Sequence, residues 1–148
     1  MIIKKETRDL ISDNNCYFVQ CISNKFASAT GVLDNMNRTH NIKKSIQDKY
    51  GNDRISVYPY NEVVLCNNKV FDIIIYSKNS NDSIYEYLER VFYKIKTIFL
   101  NKEYREILDK KILAFPDSWY GIYNIDMERV IPILEKVFGD TNLEIIYN

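Results

Sequence analysis

Residues 111–147 read KILAFPDSWYGIYNIDMERVIPILEKVFGDTNLEIIY. A short apolar run at 112–115 leads into a loop closed by Pro116 and Gly121, then a stretch of helical periodicity, then a second apolar run at 143–147. This pattern predicts strand, loop, helix, strand. In an open α/β sheet the connection between a strand and the helix after it presents backbone amides to a ligand. The loop that starts at Pro116 is therefore the first place to look for function. Pro132 lacks a backbone donor, so the helix around it is expected either to start irregularly or to kink there.

Upstream, residues 2–6 form a candidate first strand that exits through Thr7, Arg8, Asp9 and Leu10. The run CYFVQCI at 16–22 is continuous and apolar, which suits a central strand covered on both faces. A small-residue loop, SNKFASATG at 23–31, leads into a helix over about residues 32–49 with a possible break at 39–41. Strand, small-residue loop and helix again make the layout of a phosphate site. Gly51 and Asn52 close that helix, residues 55–60 and 63–66 read as strands, and Asn67-Asn68 is a turn before the buried strand VFDIIIY at 70–76. From Asp82 onward, Ile84, Leu88, Val91, Phe92, Ile95 and Phe99 fall on one helical face, with Asn81 or Asp82 as the cap. A charged connection over 101–111 returns the chain to the C-terminal stretch. Strands interleaved with helices predict an α/β fold, a three-layer α/β/α sandwich with a mixed central sheet.

The chain has 148 residues, 46% of them hydrophobic, which is room for one domain with one core at 1–148. Lys plus Arg equals Asp plus Glu at 20 each, so no basic footprint for a nucleic acid is visible. Three cysteines, Cys16, Cys21 and Cys66, with the single His40 make no zinc constellation, and the odd count argues against a disulfide framework. No metal and no cofactor is expected. The first ten residues hold no apolar run of signal-peptide length, and no stretch approaches the length of a membrane span, so the expected location is cytoplasmic. Abundant Asn, Ile, Lys and Tyr fit a low-GC bacterial or viral coding bias and leave a phage origin open.

The C-terminal loop and the segment at 16–32 together resemble a macro domain, the ADP-ribose-binding α/β module, and in particular the branch that removes ADP-ribose from glutamate. In that branch a strand ends in Pro, a glycine-rich phosphate loop follows, and Trp-Glu-x-Val opens the next helix. Here residues 116–130, PDSWYGIYNIDMERV, occupy the same length. The resemblance covers nearly the whole chain and implies the same sandwich architecture. It also implies an ADP-ribose-type nucleotide as ligand and, for an active enzyme, an ADP-ribosylated protein as substrate.

The resemblance assigns roles residue by residue. Asp9, with aliphatic Leu10 after it, matches the pair that meets adenine; an acceptor-only carboxylate facing an exocyclic amine is chemically apt. Against that, an Asp after a strand is common in turns. Ser23 stands where the branch has serine. Ala29, Thr30 and Gly31 fill its glycine run, with Gly31 and Val32 keeping the end; two of three glycines are replaced, which reshapes phosphate binding. Gly31 read alone is simply the start of a helix.

Lys78, following the strand IIIY, occupies the place of the branch's nucleophilic lysine, though a lysine after a strand is by default a solvated side chain. Its carboxylate partner in the family is replaced by Tyr123, a phenol of ordinary pKa about 10 and a poor general base near neutrality. Ser118, Trp119, Tyr120, Gly121 and Ile122 form the phosphate loop, and Trp119-Tyr120 stands where the family has Gly and a small residue. Those two rings either stack on a ligand or fold inward and seal the cleft. The expected function is binding of ADP-ribose or a related NAD-derived nucleotide with little or no turnover. The alternatives are an ADP-ribosyl-glutamate hydrolase using Lys78 and a ligand-free protein-interaction module.

Overall fold

The computed structural model describes residues 1–23, 41–51, 62–75, 84–101, 112–121 and 123–148. Within them the chain forms β1 (Ile2–Lys5), β2 (Tyr17–Ser23), α1 (Ile42–Tyr50), β3 (Glu62–Cys66), β4 (Val70–Ile75), α2 (Ile84–Leu100), β5 (Ile112–Phe115), α3 (Met127–Phe138) and β6 (Glu144–Tyr147). The strands make one six-stranded sheet in the order β1-β6-β5-β2-β4-β3. Every neighbouring pair is parallel except β3 with β4, so the sheet is mixed.

Strand alternation sends successive side chains to opposite faces. On β2 this divides Tyr17, Val19 and Cys21 from Phe18 and Ile22; the first set joins a core with α2 and α3, the second a core with Ile42 and Ile46 of α1. Helices thus cover both faces, giving the α/β/α sandwich. The apolar stripe of α2 is buried at Ile84, Leu88, Val91, Phe92 and Ile95, while Phe99 is only half-buried against the same core. Each such side chain stabilises the fold by roughly 1.5–3 kcal/mol relative to exposure.

Local chemistry sets the boundaries. Asn67 and Asn68 both adopt positive φ, 51° and 50°, and Lys69 donates its N–H to the Cys66 carbonyl, closing the β3–β4 hairpin. Asparagine is among the few residues with a side chain that enter this region readily. Asn41, at φ 53°, sits in the left-handed region immediately before α1, within the expected break at 39–41. Asp126 caps α3 by accepting from the Glu128 N–H at 3.0 Å. The helix then runs without interruption through Pro132. Pro132 and Glu128, whose carbonyl loses its donor there, are both exposed, so solvent can replace the missing bond. The strand expected at 55–60, the caps at Asn81 or Asp82 and the connection at 102–111 lie outside the described residues.

Candidate functional site

Five parallel strands bring their C-terminal ends to one edge of the sheet, and ligands of open α/β sheets bind at that edge. The exits of β1, β6 and β5 are described throughout, apart from residue 122. Those of β2 and β4 are described only to Ser23 and Ile75, register partners on neighbouring strands. Gly31, Val32, Lys78 and Ile122 lie outside the described residues, and of Ser23 only the backbone is described.

A cleft of about 570 Å³ opens between the exit of β1, from Lys5 to Asp9 with Ile11, and Pro116, Asp117 and Asn148 on the other side. Asp9 anchors its own turn: Oδ1 accepts the Ile11 N–H at 3.0 Å and Oδ2 accepts the Ser12 hydroxyl at 2.8 Å. Each carboxylate oxygen keeps a lone pair for a further donor, so the turn orients the group without exhausting it. Leu10 is 0% exposed, locked in the core on the α1 side of the sheet. Its side chain fixes the turn from beneath and offers no surface to a ligand. Arg8 donates Nη1 to Asp13 Oδ2 at 2.7 Å and Nε to Glu6, so its charge is spent within the loop. Asp13 is held below its ordinary range by the Asn15 N–H first and by Arg8 second.

Asn148 joins the two sides of the cleft. Its Nδ2 donates to the Glu6 and Arg8 carbonyls, each at 2.9 Å, and its Oδ1 accepts the Asp117 N–H at 3.1 Å. Its own N–H donates to the Phe115 carbonyl at 3.2 Å. The sequence assigned Asn148 no role in joining these segments, because an asparagine carries no local signal of partners so distant in the chain.

The loop after β5 folds back on β2. Cys21 donates its N–H to the Trp119 carbonyl at 2.7 Å, and Gly121 donates to the Ser118 carbonyl at 3.0 Å. Gly121 has φ 65°, and a Cβ there would lie 2.7 Å from the Cys21 carbonyl oxygen, so only glycine fits. Ser118 also takes a positive φ of 62°. Trp119 is 4% exposed and meets the Phe115 ring edge-on at 4.9 Å. Of the two roles open to it, the indole takes the inward one. Tyr120 is half-buried beside it at 6.0 Å. Together with Ile125, Met127 and Tyr147 these rings wall a second cavity of about 170 Å³, which shares Pro116, Asp117 and Asn148 with the larger cleft.

Tyr123 donates its hydroxyl to the Ile75 carbonyl at 3.0 Å, at the end of β4. Burial, and then the nearby Cys21, push the phenol further above its ordinary value. It is a committed donor and holds no base at neutral pH. The three cysteines are free and buried. Among the described residues no group of three His, Cys, Asp or Glu side chains could hold a metal ion, and no helix is long and apolar enough to cross a membrane.

The same arrangement of strands and helices occurs in solved structures. The macrodomain of Thermus aquaticus DarG superposes with a TM-score of 0.66 at 12% identity, over 99% of this chain and 97% of that one. The chain has the macrodomain fold. The macrodomain of Mycobacterium tuberculosis DarG is similar at a TM-score of 0.65 and 16% identity, with the same coverage. No family model and no curated protein sequence matches the chain.

Proposed function

We propose that this macrodomain-fold protein binds ADP-ribose or a related NAD-derived nucleotide in the cleft between β1 and the loop after β5, with little or no turnover. The observation that carries the reading is the Asp9 carboxylate, held by two hydrogen bonds of its own turn at the exit of β1 and open to the cleft. Its remaining lone pairs accept from an exocyclic amine and reject a keto group at the same place. Asp117 and Asn148 hold the opposite wall at a fixed distance through the bonds that Asn148 makes to both sides. Ser118 to Gly121 form a tight turn beside that wall, and Gly31 and Val32 belong to the same reading on the β2 side.

Chemistry argues for binding over hydrolysis. A lysine attacking an anomeric carbon needs a neighbouring base to free its amine. In the reading that gives Lys78 that role, the neighbour is Tyr123, whose hydroxyl is already donated to Ile75. An ADP-ribosylated protein therefore fits this site as something recognised rather than cleaved.

Calorimetric titration with ADP-ribose tests the proposal. Saturable heat is expected, weakened about tenfold or more by Asp9→Ala, the scale of one lost hydrogen bond to a charged group. Incubation with an ADP-ribosyl-glutamate peptide is expected to release no ADP-ribose above the level of Lys78→Ala. Lys78-dependent release would establish the hydrolase instead. No heat with any adenine nucleotide would leave the cleft as a protein-interaction surface.

A further inference from the structure

Apart from the cleft, the sheet holds a buried polar pair among the described residues. Gln20 on β2 and Asp72 on β4 are register partners near the middle of two adjacent parallel strands. Alternation turns both toward the α1 side, between Phe18 and Ile22 on one strand and Val70 and Ile74 on the other. Asp72 is 0% exposed and Gln20 is 2% exposed. One bond joins them, from Gln20 Nε2 to Asp72 Oδ2 at 2.9 Å. The two remaining oxygens, Gln20 Oε1 and Asp72 Oδ1, are buried without a partner.

Those two orphans share one defect. Each is an acceptor when Asp72 is ionised, so neither can satisfy the other, and a buried carboxylate holding a single hydrogen bond is heavily disfavoured. A proton on Oδ1 removes both faults at once, because the acid O–H can donate to Gln20 Oε1 while Gln20 Nε2 donates to Oδ2.

We propose that Asp72 is a neutral carboxylic acid closed into a two-bond ring with Gln20, and that this ring is a pH-sensitive tie between β2 and β4. Burial pushes the Asp72 carboxyl up to about 8, opposed only by the Gln20 bond. On the α1 side with it is the Cys66 thiol of β3, and across the sheet lies the Cys21 thiol of β2, both pushed up first by burial and then by Asp72. The β3 partner in register with it, Val64, is apolar, and Lys49 of α1 acts on Cys66. No cation among the described residues acts on Asp72. Both strands lead to the edge where the site is built, and β4 ends on the carbonyl that holds Tyr123.

The sign follows from linkage. The folded state holds the proton more tightly than an unfolded Asp of ordinary pKa about 3.9, so the stability from this group is complete below that value. It declines as pH rises toward 8, by about tenfold in the folding equilibrium constant per pH unit, and is gone above 8.

Carboxyl carbon NMR of the 13C-labelled wild-type protein tests the assignment without any substitution. The Asp72 resonance is expected at the protonated position at pH 6 and to titrate near pH 8; an ionised resonance at pH 6 overturns the proposal. Asp72→Asn tests the consequence, since an amide can keep both bonds of the ring. Its stability relative to wild type is expected to rise by about tenfold per pH unit between pH 5 and 8. An unchanged pH slope overturns the tie, and if the variant does not fold the wild-type titration still decides.

Discussion

Trp119 meets the Phe115 ring in an edge-to-face contact with 4% of its surface exposed, which makes it a core residue of the loop after β5. Trp119→Ala is therefore expected to destabilise the protein by about 3–5 kcal/mol, as removal of a buried aromatic does. A ring used to stack on a ligand would instead leave the urea midpoint nearly unchanged while lowering affinity. Two residues on, Gly121 faces a different constraint, because its φ of 65° and the Cys21 carbonyl 2.7 Å from a would-be Cβ both exclude a side chain. Gly121→Ala is expected to cost about 1–3 kcal/mol in the same denaturation experiment, the left-handed penalty plus displacement of the loop from β2. An unchanged midpoint would mean that the loop is not anchored through this approach. The sequence marks both positions, yet it does not show which way the indole turns, since that depends on Phe115 and on the α3 side of the core.

At the scale of elements, strands and helices were legible because their signals are local. The apolar runs at 16–22 and 70–76 read as buried strands and correspond to β2 and β4, the spacing from Ile84 to Phe99 reads as the face of α2, and Asn67-Asn68 as the hairpin turn. Pro132 does not end α3, which continues through it with Pro132 and Glu128 on the exposed face, where solvent can reach the orphaned carbonyl. What joins the elements was not legible. Asn148 reaches Glu6 and Arg8 across 142 and 140 residues, and no periodicity encodes such a contact. Its three side-chain bonds span the exits of β1 and β5, so Asn148→Ala is expected to destabilise the protein by about 0.5–1.5 kcal/mol, since the Glu6 carbonyl is half-buried while the Arg8 and Asp117 groups are exposed and regain water. The same change is expected to weaken nucleotide binding, because the exit of β1 at Glu6 and Arg8 and the opposite wall at Asp117 lose their common tie. Chemical denaturation beside the ADP-ribose titration separates the two effects: lowered stability with unchanged affinity would show that the cleft walls are held independently of Asn148.

For the whole molecule the question is whether the cleft and the sheet interior are coupled. Asp9 sits exposed in a turn and bonds to Ile11 and Ser12, whereas Asp72 is fully buried on β4 and bonds to Gln20. The two carboxylates share no partner among these bonds, and groups of that kind contribute additively to within about 0.5 kcal/mol. They also differ in what sequence could reveal. Asp9 follows a strand where a turn is common, so its role could be weighed, whereas Gln20 and Asp72 stand inside apolar runs as polar exceptions whose pairing needs the β2–β4 register. Additivity gives a joint prediction. At pH 6.5, ADP-ribose at a hundred times its Kd is expected to raise the unfolding free energy by about 2.7 kcal/mol in both wild type and Asp72→Asn. In Asp9→Ala that ligand-induced gain is expected to fall sharply, while the decline in stability between pH 5 and 8 persists, because it belongs to the Asp72 proton. Measuring ligand-induced shifts and pH slopes on all three proteins gives each carboxylate its own readout. A pH slope lost in Asp9→Ala, or a ligand shift lost in Asp72→Asn at a pH where its ring is intact, would show that the tie between β2 and β4 transmits to the cleft.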